Sequence, residues 1–234
     1  ALHDKAQGAM FSLLRTINKH HACNFNILLD LFDKMVVPIA LYNSEVWGIN
    51  SLPSNLKNTN LFNSKLIFKH TVEGLQTRFL KMILGVSKRT SSWGVLGETG
   101  RLPLTIRIFT TIIKFYFHLR NSTNNLLKAA LNTNTRLAKE GNNTWFRALE
   151  RISKFLNLEQ LLITSDREEI NNQLPNFKKI STKLFIDEWQ KERLELSGQS
   201  SKLGVFLSIK TSFSLSDYPV SYTHLRAHET CPYL

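Results

Sequence analysis

The sequence predicts an all-α, multi-helix bundle, and three observations predict it. Apolar residues recur at intervals of three and four along nearly the whole chain, the spacing that lines one face of a helix. The alternation of a half-buried strand is scarce, and only residues 203–213 (Leu-Gly-Val-Phe-Leu-Ser-Ile-Lys-Thr-Ser-Phe) look strand-capable. Residues that start and stop helices flank several of the periodic segments. With 234 residues, 42% of them hydrophobic, the chain is long enough for one large domain or two small ones.

Residues 3–20 form a first amphipathic segment. A second begins after Asn24 or Asn26, whose short side chains suit an N-cap, and carries Leu28, Leu31, Phe32, Met35, Val36 and Ile39. Pro38 lies inside it, lacks an N–H and crowds the preceding turn, so the helix is expected to kink or split there. Residues 50–62, rich in Asn and Ser and containing Pro53, read as a loop. A third helix is expected over 64–85, with Leu75, Phe79, Met82, Ile83 and Val86 on one face and Gly85 as its C-cap. Arg78 and Lys81, three apart, are neighbours on its polar face.

Residues 91–98 suit one short helix, and Pro103 opens the next. That helix, about 103–121, is apolar nearly all round and is the expected core helix. Its polar residues form one stripe: Arg107, Thr111, Lys114, His118 and Asn121. Further helices are expected at 125–139, 144–156 and 158–164, and Asn157 with Gln160 and Ser165 with Glu168 resemble capping boxes. After Pro175 a helix of roughly 176–196 carries Phe177, Ile180, Leu184, Phe185 and Trp189. The expected organisation is a helical region over 1–121, a helical extension over 122–217 and a tail from 218.

Formal charge is +12, with 30 Lys and Arg against 18 Asp and Glu. Such a balance points to a polyanionic partner, nucleic acid or an anionic membrane surface. The charge is uneven: residues 1–120 hold 15 basic and 6 acidic side chains, residues 121–234 hold 15 and 12. The polyanion argument therefore rests on the first half. No apolar run reaches the roughly 18–20 residues of a membrane span, since Arg107 and Lys114 interrupt the nearest candidate at 102–119. Two cysteines, Cys23 and Cys231, are too few for a disulfide framework, and the N-terminus shows no secretory signal. An intracellular setting, nucleus or cytoplasm, is expected, with the sequons at Asn121 and Asn142 unused. The missing initiator Met suggests a chain that begins mid-protein.

Three stretches carry a family resemblance: DKAQGAMFSLLRTINK at 4–19, LFDKMVVPIALYNSEVWG at 31–48, and FLKMILGVSKRTSSWGVLGETGRLPLTIRIFTTIIKFYFHL at 79–119. In this order they resemble the region after the palm in the reverse transcriptases of non-LTR, LINE-type retrotransposons. Leu31, Phe32, Asp33, Val36, Pro38, Ile39, Leu41, Tyr42, Glu45, Trp47 and Gly48 match the first conserved block. Phe79, Lys81, Ile83 to Val86, Thr90, Val95, Gly97, Glu98, Gly100, Arg101, Pro103, Leu104 and Ile106 match the second. SKLGVFLSIKTSF at 201–213 resembles a later block. The likeness covers about residues 3–216, is most specific in 31–106 and weakens beyond 125. It implies a thumb and connection region that holds a template–primer duplex of RNA and DNA while the palm, joined in cis, polymerises DNA on RNA.

Polymerisation needs paired aspartates holding two metal ions, and the palm's Tyr-x-Asp-Asp appears nowhere in this chain. The acidic groupings, Asp30/Asp33, Asp166/Glu168/Glu169 and Asp187/Glu188, read as helix-start complements or solvated surface. This chain is therefore expected to be non-catalytic, with no cofactor of its own and Mg ions only in the palm. His224, His228 and Cys231, with His20, His21 and Cys23, have zinc-like spacing. One half of that set lies in a stretch, VSYTHLRAHET, that resembles a translated cloning adapter, so residues from about 218 read as foreign and no metal site is expected. The glycines from Gly85 to Gly100 fit neither a Walker loop nor a dinucleotide fingerprint.

The candidate nucleic-acid contacts are Arg78, Lys81, Lys88, Arg89, Arg101, Arg107, Lys114 and Arg120, in a block with no acid between residues 74 and 97. One reading is a solvated surface; the other is a groove that tracks phosphates without reading bases. Glu98 is placed to pair with Arg101. Trp47, Trp93, Trp145 and Trp189 sit in apolar patterns and are expected in the core rather than stacked on bases. The expected partner is a template–primer duplex, with no membrane and no small-molecule substrate. The alternatives are a helical protein-interaction module and a decayed retroelement transcript.

Overall fold

The computed structural model describes residues 2–20, 24–51, 62, 71–163, 167–199 and 201–216. Among them there is no strand, only one antiparallel bridge between Thr99 and Leu215. The chain is an all-α, multi-helix fold.

Helix α1 (Leu2–His20) buries Ala6, Met10, Leu13 and Leu14, spaced by four, three and one. Asn24 caps α2 (Phe25–Met35) by accepting from the Asn26 N–H at 2.9 Å. The chain then breaks at Val36 and resumes as α3 (Val37–Ala40), with Pro38 in its first turn, where the missing N–H has no intrahelical partner to lose. The split expected from Pro38 is thus found just upstream of it. Next come α4 (Ser44–Trp47) and a 3₁₀ turn (Gly48–Ser51). Most of the predicted loop, and residues 64–70 of the predicted third helix, lie outside the described residues.

Helix α5 (Thr71–Ile83) buries Val72, Leu75, Phe79 and Leu80. Gly85 follows it at φ 68°, a left-handed conformation that costs a residue with a Cβ but not glycine, and the Val86 N–H reaches back to the Lys81 carbonyl at 3.0 Å. Then α6 (Ser92–Thr99) and α7 (Leu104–Asn121) follow. The latter is the central helix, packing against α4, α5, the 3₁₀ turn and three later helices. Its buried residues include Leu104, Ile106, Ile108, Phe109, Ile112, Ile113, Tyr116 and Phe117. The predicted polar stripe stays on the solvent side: Arg107, Lys114, His118 and Asn121 are exposed and Thr111 is half-buried.

The second half holds α8 (Asn125–Lys139), α9 (Trp145–Phe155), α10 (Gln160–Ile163), α11 (Arg167–Ser197) and α12 (Lys202–Ile209). Asn157, expected to open a helix, instead takes a left-handed φ of 55° after α9 and turns the chain. Helix α11 starts nine residues before the predicted position, running through Pro175, which is exposed and lacks only its own N–H bond to the turn before it. The Ser165/Glu168 capping box lies outside the described residues, as does the chain from 217 onward.

The one strand-capable stretch, 203–213, is helical over Leu203 to Ile209. Ser201 accepts from the Gly204 N–H at 3.0 Å and starts α12, whose Leu207 is fully buried while Val205 and Ile209 point outward. Val205, Phe206 and Ile209 favour strands locally, but packing of the short helix on α11 and α6 overrides that preference. One buried apolar cluster runs through both halves of the chain, across residue 121. Its second half centres on aromatic rings: Trp93, Phe185, Trp189 and Phe213 meet edge to face at 5.3–5.4 Å. Gly97 lies flat under the Trp189 indole, and a Cβ there would collide with the ring.

Candidate functional site

The eight cations singled out in the sequence fall into three environments. Arg78, Lys81, Lys88 and Arg89 belong to the C-terminal half of α5 and the turn after it. Arg78 is exposed and lies over the Phe11 ring at 4.8 Å, which ties α5 to α1 by a cation–π contact. Lys81 Nζ donates to the Lys88 carbonyl at 3.2 Å, which folds the turn back onto the helix. Burial pulls the Lys81 ammonium below the ordinary lysine value. Lys88 and Arg89 are exposed on that turn.

Arg101 and Arg107 meet at one carboxylate. Arg101 donates from both terminal nitrogens to Asp33 at 2.9 and 2.5 Å, a bidentate pair, and Arg107 Nη2 donates to Asp33 Oδ2 at 2.8 Å. Burial alone would raise the Asp33 carboxyl, but the hydrogen bonds and charges of the two arginines outweigh it and hold the group below the usual carboxylate value. The arrangement pins α2 to the start of α7. It corrects two sequence readings: Asp33 is not simply solvated surface, and Arg101 does not pair with Glu98. Glu98 instead approaches Lys210 at 3.9 Å. Asp30, by contrast, lies on the surface as expected and pairs there with Lys34 at 2.7 Å.

Asp33→Asn is expected to lower stability by about 2 kcal/mol, because two charge-assisted interactions lose their anion and Arg101 is largely buried. A urea midpoint at pH 7 unchanged by the substitution would show that the triad contributes nothing.

Lys114 is exposed midway along the α7 stripe. Arg120 sits near the end of the helix and is half-buried. It donates to the Leu162 carbonyl at 2.8 Å and the Ile163 carbonyl at 2.7 Å, closing the end of α10, while Tyr116 Oη donates to the same Leu162 carbonyl at 2.8 Å. Arg101 and Arg120 thus hold the fold together, Arg107 is shared between Asp33 and solvent, and Arg78, Lys88, Arg89 and Lys114 are exposed.

Sequence reasoning missed Glu73. It is fully buried on α5, and its Oε1 accepts from the Thr105 N–H and hydroxyl, both at 2.7 Å. A carboxylate from one helix therefore caps the first turn of the central helix, where N–H groups lack intrahelical partners. Burial pushes the Glu73 carboxyl up to about 7 against the opposing pull of the Thr105 and Leu104 hydrogen bonds. Its Oε2, and the Oε1 of buried Gln76 one turn on, have no partner among the described residues. The one available sign was a lone acid that shares its helix face with the polar residues Gln76 and Thr77.

Of the tryptophans, Trp93 and Trp189 are buried. Trp47 and Trp145 are half-buried, their indole N–H groups donating to the Tyr42 and Glu45 carbonyls. No family model, no curated protein and no solved structure matches this chain. Among the described residues no group of three or more His, Cys, Asp or Glu is placed to hold a metal ion, and no helix is long and apolar enough to cross a membrane. The zinc-like His and Cys set lies outside the side chains described.

Proposed function

We propose that this chain is a non-catalytic nucleic-acid-binding region of a retroelement RNA-directed DNA polymerase, one that grips the phosphate backbone of a template–primer duplex. The reading rests on the resemblance of residues 31–106 and on one structural observation. The acid-free stretch 74–97 is bracketed by Glu73 and Glu98, and both acids turn inward, Glu73 onto Thr105 and Glu98 towards Lys210. Arg78, Lys88 and Arg89 are exposed on a stretch that contains no carboxylate of its own between residues 74 and 97. Each phosphate they neutralise releases counterions and adds to the salt dependence of binding.

With Lys114 of α7 these cations make four such contacts and give a log–log salt slope of about −3.6, so affinity for an RNA–DNA hybrid is expected to fall at least roughly a hundredfold between 50 and 200 mM salt. Arg89→Gln with Lys114→Gln is expected to reduce the slope by about two, with helicity unchanged. Arg107 is the wrong residue to reverse: a glutamate there would face Asp33 and weaken the fold as well. No hybrid binding at about 50 mM salt, where the electrostatic term is strong, overturns the proposal.

A second reading, a protein-contacting helical module, is favoured by Ile27, Met35, Tyr42 and Val46. These apolar side chains are 51–62% exposed on α2, α4 and the turn before α4. Under the first reading this surface is where the palm would rest.

A further inference from the structure

The charge asymmetry does not stop with the central helix. From Thr99 to Lys139 the sequence contains no Asp or Glu, and it carries Arg101, Arg107, Lys114, Arg120, Lys128, Arg136 and Lys139. The last three lie on α8, which follows α7 after a three-residue turn and packs against it. Helix α8 is held at few points: Ala138 is its one buried residue, Asn134 Oδ1 accepts from the Phe146 N–H at 2.9 Å, and Arg147 Nη1 donates to the Ala138 carbonyl at 3.3 Å. Half-buried Leu127, Leu131 and Thr135 share that inner face.

Lys128, Asn132, Arg136 and Lys139, spaced four, four and three apart, are all exposed. At about 100° per residue they occupy roughly a quarter of the helix circumference. The other flank is uncharged, with Leu126, Ala130 and Thr133 exposed. Cations gathered on one flank of a loosely held helix, in a stretch with no acid between Glu98 and Glu140, are not the mixed charge of an ordinary solvated face. The first acid after them, Glu140, approaches Arg136 at 3.9 Å, and with side chains 72% and 54% exposed that pair opens readily to a competing anion.

We infer that α8 is a second phosphate-contacting surface, in which Lys128, Arg136 and Lys139 neutralise backbone phosphates and Asn132 donates its amide to them. The occupant is the duplex of the function proposed above, and the inference rests on that reading. Lys128 to Lys139 spans about 16 Å of helix, the length of about five phosphates of one strand along a duplex axis. The surface therefore lengthens the footprint and reads no sequence.

The test compares two triple variants of the full chain binding an RNA–DNA hybrid across a salt series. Lys128→Gln/Arg136→Gln/Lys139→Gln is expected to reduce the salt slope by two to three and affinity at about 0.1 M salt by tenfold or more. Lys178→Gln/Lys179→Gln/Lys183→Gln removes the same charge from exposed positions on α11, a helix that also carries Asp187, Glu188, Glu192 and Glu195, and is expected to leave the slope nearly unchanged. If the α8 triple loses helicity by circular dichroism, Lys128→Gln alone takes its place, with an expected fall of about one. An unchanged slope in the α8 variant, while Arg89→Gln/Lys114→Gln still weakens binding, overturns this inference alone. So do equal losses in both triples, which would mean that only net charge matters. A wild-type chain that does not bind the hybrid overturns the inference together with the function it rests on.

Discussion

Trp189→Ala is expected to cost about 3–5 kcal/mol, more than the loss of Asp33 or Glu73. The indole is fully buried, covers the bare backbone of Gly97, meets Phe213 edge to face at 5.4 Å and donates to the Trp93 carbonyl at 3.2 Å. Truncation would remove the apolar area, leave a cavity the size of two fused rings, and strip a buried carbonyl of its donor. Because Gly97 and Trp93 belong to α6 and Trp189 to α11, the loss falls on the junction between the two halves of the chain. Urea denaturation at pH 7 measures it. Trp189→Phe should recover part of the stability through its ring but not the hydrogen bond. A loss below about 1 kcal/mol for Trp189→Ala would mean that this aromatic cluster is not a cooperative part of the fold.

Glu73 is expected to give the protein an unusual pH dependence. Its carboxyl is raised from an ordinary 4.5 to about 7 in the folded state, so the folded chain binds this proton more tightly than the unfolded chain. Stability then falls as pH rises through the interval between the two values and levels off above it. At about 1.4 kcal/mol per pH unit, the full effect is on the order of 3 kcal/mol. Asp33 works in the opposite direction at lower pH: its carboxyl is held down in the folded state, so its contribution is lost on acidification through the carboxylate range. The window from pH 5 to 8 therefore separates the effect of Glu73 from that of Asp33.

Glu73→Gln keeps an acceptor for the Thr105 N–H and hydroxyl but carries no titrating group. Its stability curve should be flatter across pH 5–8, and at pH 8 the variant should be more stable than the wild type. Glu73→Ala removes the cap from the central helix and should be destabilised by about 1–3 kcal/mol even at pH 5. Wild-type and Glu73→Gln curves that run parallel from pH 5 to 8 would show that the buried carboxyl does not titrate there.

These two residues also mark where sequence reading succeeded and where it stopped. The helical class, the break near Pro38, the Asn24 and Gly85 caps, the apolar α7 with its one wet stripe and the burial of Trp93 and Trp189 were all legible. Each depends on residues a few positions apart, and the physics of a helix turn acts over that range. Asp33 finds its arginines 68 and 74 residues away, and Glu73 finds Thr105 at a distance of 32. Periodicity and capping rules do not reach across such gaps. An aspartate on a helix surface reads the same in sequence whether water or two guanidinium groups face it.

The candidate site divides along the same line. That the chain carries an excess of cations, concentrated around an acid-free stretch, was determined by composition and order alone. Which cations the fold itself uses was decided only by packing: Asp33 takes Arg101 and the end of α10 takes Arg120, while Arg78, Lys88, Arg89 and Lys114 lie exposed. The strand-capable segment 203–213 teaches the same lesson, since β-branched and aromatic residues there prefer a strand locally and the surfaces of α6 and α11 impose a helix over most of it. Local spacing sets which helices form, because neighbouring side chains share a face. Tertiary contact alone sets which charges are neutralised, because the partners that neutralise them lie far apart in the chain and meet only when the core closes.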